Sequence, residues 1–172
     1  MLQTCQAGPN RHGRGLLLFH GDLLRRALGY NSAMPDIFFH SHVVQADEVD
    51  DLGHANNVFY VAWLQAAAVA HSTAQGWPGG RYHELRQGWV VRSHTIEYLL
   101  PAFGGDHIVV ETWVATMKKV TSLRRYRIVR QGDGALLATA ETNWAFVDLT
   151  NGKPVRIPPE VAGAFAVVLR TP

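Results

Sequence analysis

Hydrophobic and polar positions divide this chain into one early apolar strand, one long uncharged segment and a series of alternating stretches. Phe38 to Ala46 is rich in aromatic and β-branched residues and ends in the acidic, glycine-containing run Asp47 to Gly53, which predicts a strand followed by a loop. Asn56 and Asn57 are good N-cap residues. The apolar body Val58 to Ala70 continues to Gly76, a natural stop before Pro78, which predicts a helix of about five turns. No Asp, Glu, Lys or Arg occurs between Asp51 and Arg81, so this helix has no charged face and is expected to be enclosed on most sides.

Four further strands are expected at about 88–99, 107–117, 121–132 and 135–148. The alternation is clearest in the last, where Leu136, Ala138, Ala140, Thr142, Trp144 and Phe146 share one face and Thr139, Glu141 and Asn143 the other. Pro101 to Gly105, Lys118-Lys119 and Gln131-Gly132-Asp133-Gly134 supply the turns, and consecutive hairpins imply an antiparallel sheet. One strand, one long buried helix and four more strands make an α+β domain of about five strands, whose sheet must wrap the helix to bury it.

Composition changes this picture at the N-terminus. Hydrophobic residues form 47% and charged residues 17% of 172, an ordinary globular balance that fits one domain. Residues 1–33 scatter glycine and arginine. They carry Arg11, Arg14, Arg25 and Arg26 against Asp22, a net +3, which leaves −1 for residues 34–172 of a chain whose total is +2. The basic pI near 8.9 therefore belongs to the leader, and the body has no global attraction for nucleic acid or anionic membrane. We expect residues 1–33 to be a poorly structured extension and 34–172 to be the folded domain. Met34 is the expected biological start, with a loosely packed extension or a transit peptide as the competing readings.

Cys5 is the only cysteine, so an intrachain disulfide and a cysteine-based zinc site are excluded. The apolar run Leu16 to Phe19 is shorter than the roughly 7–15 residues of a secretory h-region, so a cytoplasmic protein is expected. A membrane span is disfavoured by Gln65, His71, Ser72, Thr73 and Gln75 inside the uncharged segment, whose apolar part falls short of the roughly 20 residues a bilayer needs.

The densest chemistry lies just before the helix, in Asp47-Glu48-Val49-Asp50-Asp51-Leu52-Gly53-His54-Ala55-Asn56-Asn57. A carboxylate there sits beside the positive end of the helix dipole, where free backbone N–H groups can also polarise a carbonyl oxygen. The bland alternative is that Asp50 and Asp51 merely favour the helix start while Asn56 caps it. His40 and His42 share a strand face and, with Asp47 or Asp50, have the types of metal ligands, but the spacing is too common to carry a metal site, and none is expected. No Gly-x-Ser-x-Gly sequence supports a serine triad.

The acidic stretch, followed by Tyr60, resembles the signature of hotdog-fold acyl-CoA thioesterases of the 4-hydroxybenzoyl-CoA thioesterase type: an acidic pair, then Gly-His-Val-Asn-Asn, then a tyrosine. Ile96-Glu97-Tyr98, Gly105-Asp106 and Trp144 to Asp148 extend the resemblance more loosely over residues 38–160. Glu48 stands where aspartate is more usual, and Ala55 where a β-branched residue is. The resemblance implies a hotdog fold and hydrolysis of an aromatic or fatty acyl-CoA to the acid and CoA, with no cofactor. It makes Asp50 the catalytic carboxylate, as nucleophile or general base, and the N–H of Asn57 the carbonyl donor. His54 and the Asn57 side chain would orient water or carbonyl, or His54 would only position the loop. Gly53, Asn56 and Tyr60 would complete the substrate site.

Coenzyme A carries phosphates, for which Lys118, Lys119, Arg124 and Arg125 are the densest basic candidates, with a solvated hairpin as the equal alternative. Trp63, Trp89 and Trp113 are expected in the core, acyl pocket or interface. The resemblance further implies a homodimer or homotetramer with sites at the subunit boundary. A thioesterase acting on acyl carrier protein and a non-hydrolytic acyl-CoA binder are the alternatives.

Overall fold

The computed structural model describes residues 36–169. The expected extension 1–33 and the start at Met34 lie outside the described residues. Strand β1 (Phe38–Val43) leads through a single 3₁₀ turn (Ala46–Glu48) into helix α1 (Asn57–Ala74). A short helix α2 (Gly79–Leu85) and strands β2 (Gln87–Tyr98), β3 (His107–Met117), β4 (Thr121–Arg130) and β5 (Leu136–Asp148) follow, then one turn of helix, α3 (Pro159–Ala162). The strand expectations hold to within a few residues.

The five strands form one sheet in the order β1-β3-β4-β5-β2, with every neighbouring pair antiparallel. Because β1 and β2 occupy opposite edges, the connection holding α1 has to cross the sheet, which lays the helix against one face. Register shifts at Val91/Ser93, Val114/Thr116 and Ile128/Val129 mark bulges that bend the strands.

Apolar clusters cover the inner face of the sheet, one beneath α1 and one beneath the segments that follow it. The first packs Tyr60, Trp63, Leu64 and Ala67 of α1 against Ile108, Val110, Tyr126, Ile128 and Ala138. The second joins Trp77, Val114, Phe146, Val161 and Phe165, with Tyr82 and Trp89 packed against it. Trp63 and Trp113 are core residues, and Trp113 belongs to a third cluster with Ile37 and Ala115. Only one stripe of α1 is covered within the protomer. Val58 and Val69 are 69% and 52% exposed, so the uncharged helix is less enclosed than its composition predicts. No described helix is long and apolar enough to cross a membrane.

Candidate active site

The acidic segment is held by a carboxylate that sequence reasoning treated only as a substitution. Glu48 is 8% exposed, and both its oxygens are engaged. Oε1 accepts from Trp63 Nε1 at 2.9 Å, while Oε2 accepts from the Gln45 backbone N–H at 2.8 Å and lies 2.7 Å from His42 Nε2. Burial pushes this carboxyl up, but the bonds from His42, Gln45 and Trp63 outweigh it and hold Glu48 below the usual glutamate range. His42, one of the two strand histidines weighed as a metal ligand, is thereby committed to Glu48.

From this anchor the loop folds back on itself. Val49 bridges Ala55, the Glu48 carbonyl accepts from Asn56 N–H at 2.8 Å, and Ala55 N–H donates to the Ala102 carbonyl at 2.8 Å. Gly53 turns the chain at φ +81°, a conformation that costs most side chains about 1 kcal/mol or more. Inside this turn, Oδ1 of the partly buried Asp50 accepts from Leu52 N–H at 2.9 Å and His54 N–H at 3.2 Å. Among the described residues, no hydrogen bond reaches Asp50 Oδ2. One oxygen fixes the carboxylate's orientation and the other stays open.

The helix start complements this. Asn56 caps α1, its Oδ1 accepting from Val58 N–H at 3.0 Å, and Phe59 N–H donates to the Asn56 carbonyl at 2.9 Å. The N–H of Asn57, first in the helix, has no acceptor among the described residues, as helix geometry requires unless something outside supplies one. Asp50, Gly53, His54, Asn56 and Asn57 are thus brought together at one end of α1. His54 is exposed, its ring edge-on to Phe103 with centroids 5.4 Å apart.

Tyr60, expected in the substrate site, belongs to the core beneath α1. It is 3% exposed, and its hydroxyl accepts from Ala102 N–H at 3.1 Å, tying α1 to the β2–β3 connection. Burial raises its phenol above the ordinary value.

The basic candidates lie at the other end of the helix. Lys118 and Lys119 are exposed in the β3–β4 turn. Arg124 does not belong to a solvated strand face: it is 6% exposed, and its Nη1 donates to His71 Nδ1 at 2.8 Å and to Thr112 Oγ1 at 3.2 Å. Period-two phasing places Ser122, Arg124, Tyr126 and Ile128 on the helix side of β4, which is why Arg124 is buried while Arg125, facing outward, pairs with Glu141 at 2.8 Å. Asn57 and His71 are 14 residues apart on α1, so the two groups of residues are separated by roughly 20 Å along the helix.

Arg124, Trp77, Tyr82, Trp89 and Phe165 belong to the wall of a cavity of about 260 Å³ between the C-terminal half of α1, α2 and the sheet. None of the acidic-loop residues lines it. His71 stacks on Phe38 at 5.1 Å and lies edge-on to Phe165 at 5.5 Å. Burial, then the neighbouring guanidinium, pushes its imidazole down to about 3. Sequence reasoning missed both His71 and the cavity. The stripe Leu64, Ala67, Ala68, His71 carries the signal, since those positions share one helical face.

A five-stranded antiparallel sheet with one long helix across its face defines the hotdog class of α+β folds. The chain belongs to the thioesterase-like superfamily, whose family model matches residues 44–165. It is 37% identical over 82 residues, 48% of its length, to the acyl-CoA thioesterase YbgC of Haemophilus influenzae, and that match spans 59% of the relative. Among solved structures it is similar to a hypothetical protein of Aquifex aeolicus, at TM-score 0.70 and 24% identity over 75% of this chain and 99% of that one. A 1,4-dihydroxy-2-naphthoyl-CoA thioesterase from Synechocystis, Slr0204, matches at TM-score 0.70 and 17% identity over 74% and 94%.

Proposed function

We propose that the protein is a cytoplasmic acyl-CoA thioesterase in which Asp50 supplies the hydrolytic chemistry. The observation that carries this reading is the half-engaged Asp50 carboxylate, oriented through Oδ1, beside a helix start; among the described residues neither Asp50 Oδ2 nor the Asn57 N–H has a hydrogen-bond partner. The name of the Haemophilus relative supports the reaction class.

A thioester carbonyl oxygen would take the Asn57 N–H and gain the field of the helix N-terminus as negative charge develops on it. Oδ2 of Asp50 would then attack the carbonyl carbon, expelling the CoA thiolate and leaving a mixed anhydride for water to open. Alternatively, it would take a proton from a water that attacks directly. A carboxylate suffices because the thiolate is a good leaving group, and no cofactor enters either route. His54 and the Asn57 side chain border the same space and would orient the water.

The working unit in this reading is a homodimer, alone or paired into a tetramer. Val90 and Val91 are exposed on the edge strand β2, and the bare stripe of α1 lies on the same protomer. A two-fold axis at the β2 edge would continue the sheet and run the two helices antiparallel. One protomer's acidic loop would then face the end of α1 that holds its partner's cavity and basic turn, closing the 20 Å gap.

The test is thiol release from aromatic and fatty acyl-CoAs, read with a thiol-reactive dye. Asp50→Asn retains an oxygen for the Leu52 and His54 amides, so it is expected to fold and dimerise like the parent while losing at least about 100-fold in kcat. An equally active Asp50→Asn variant would refute the assignment. Turnover only of acylated carrier protein would move the substrate to that carrier, and tight acyl-CoA binding without turnover would make the protein a binder.

A further inference from the structure

The cavity at the C-terminal end of α1 contains a cation that has no counter-ion among the described residues. Arg124 is 94% buried, and only its Nη1 is used, on His71 and Thr112. Its Nη2 and Nε have no acceptor among the described residues, no Asp or Glu lines the cavity, and both neighbours of Nη1 are neutral. A buried guanidinium costs several kcal/mol unless an anion or a full set of hydrogen bonds compensates it. The nearby carbonyl end of α1 offsets part of this through its dipole but supplies no acceptor for the free N–H groups.

The surroundings hold the guanidinium in place. Arginine only donates, so His71 Nδ1 must be the acceptor and Nε2 carries the imidazole proton. Gln75 Nε2 stands 3.3 Å from His71 Nε2, and turning the amide about its terminal bond brings its oxygen there to accept that proton. Phe38 and Phe165 clamp the imidazole. The remaining wall is mostly apolar and includes the rings of Trp77, Tyr82, Trp89, Trp144 and Phe165. An apolar chamber of about 260 Å³ with one fixed, unpaired cation suits a short apolar chain or ring that ends in an anion.

We infer that the cavity holds the far end of the acyl group, and that the preferred substrates are thioesters of dicarboxylic acids, whose second carboxylate pairs with Arg124. This rests on the thioesterase reading for what the acid is attached to, whereas recognition of the carboxylate does not. The same cation could instead take a phosphate of coenzyme A, so the test separates the two anions.

Two readouts on the full-length chain are compared. The first is the ratio of kcat/KM for adipyl-CoA to that for hexanoyl-CoA, which match in carbon count and differ in the terminal carboxylate. The parent ratio is expected to exceed one by roughly ten- to a hundred-fold, the scale of a desolvated charge-assisted hydrogen bond, and to collapse in Arg124→Met. A buried cation exchanged for an apolar side chain of similar length commonly leaves a fold intact. If Arg124→Met does not fold, Arg124→Lys, which keeps the charge but loses the fork, replaces it with a several-fold fall expected.

The second readout is calorimetric binding of free adipate, hexanoate and CoA to the parent and the variant, which needs no turnover. Adipate binding that hexanoate does not match, weakened about ten-fold or more by the substitution, supports the inference even if no thioester is hydrolysed. A parent ratio at or below one, a ratio indifferent to Arg124, or CoA binding that alone depends on Arg124 overturns it. Loss of all turnover in the parent with adipate binding intact would refute the thioesterase reading and leave the carboxylate site standing.

Discussion

Glu48 offers the sharpest physical test of how the acidic loop is held. Replacing it with alanine removes both acceptors of a buried carboxylate and strands the Trp63 indole N–H, in a residue 3% exposed, and the Gln45 amide. Each hydrogen bond to a charged group contributes about 1.5–3 kcal/mol, so the loss is expected near 3–5 kcal/mol. With a urea m-value of about 2 kcal/mol/M, the unfolding midpoint should fall by about 2 M. Glu48→Gln should lose about 2–4 kcal/mol: its one oxygen satisfies either Trp63 or the Gln45–His42 side, and its NH₂ then faces a donor. The pH dependence follows from the lowered carboxyl. Unfolded Glu48 titrates near its ordinary 4.5, so its stabilisation is complete above that value and is lost as pH falls through the lower folded value. The gap between parent and Glu48→Ala should therefore be flat from pH 7 to 5 and close below about 4. Trp63 fluorescence reports the transition. A loss under 1 kcal/mol, or a gap that widens on acidification, would show that the triple contact does not hold the loop.

Three further outcomes follow from the same geometry. Gly53→Ala meets no atom within 4 Å, so its cost should be purely conformational, about 1–2 kcal/mol by urea unfolding, with kcat falling more than KM as Asp50 shifts. Tyr60→Phe strands the Ala102 amide and should lose about 1–3 kcal/mol by urea unfolding. His71, neutral in the fold down to about 3, binds its proton only on unfolding, so stability falls as pH drops below about 6.5; between pH 6 and 5 the parent should lose about 1 kcal/mol more than His71→Gln, and equal slopes would refute it.

Much of the fold was legible because its elements agree with their local patterns. The uncharged span after Asp51 marks α1, and the strict alternation of β5 marks a strand with one core face. Helix α2 was not legible. Pro78, Gly79 and Gly80 read as a break, and the helix owes its existence to Tyr82 and Leu85 packing on the second cluster rather than to propensity. The acidic loop was readable as a motif, but Glu48's role was not, since its partners Trp63 and His42 come from elements on either side. The burial of Arg124 was not legible because Lys118, Lys119, Arg124 and Arg125 look like one basic run. Phasing the apolar positions Tyr126 and Ile128 back along β4 separates Arg124 from Arg125.

The division of the core into two apolar clusters carries an evolutionary implication. One steadies the loop that holds Asp50, and the other shapes the chamber around Arg124; they share no side chain. Substitutions at sites this far apart are close to additive in free energy. On the reading proposed above, a lineage could therefore resize or recharge the chamber, trading one acid for another, without relaxing the clamp on the carboxylate. Reaction and preference would then drift on separate clocks.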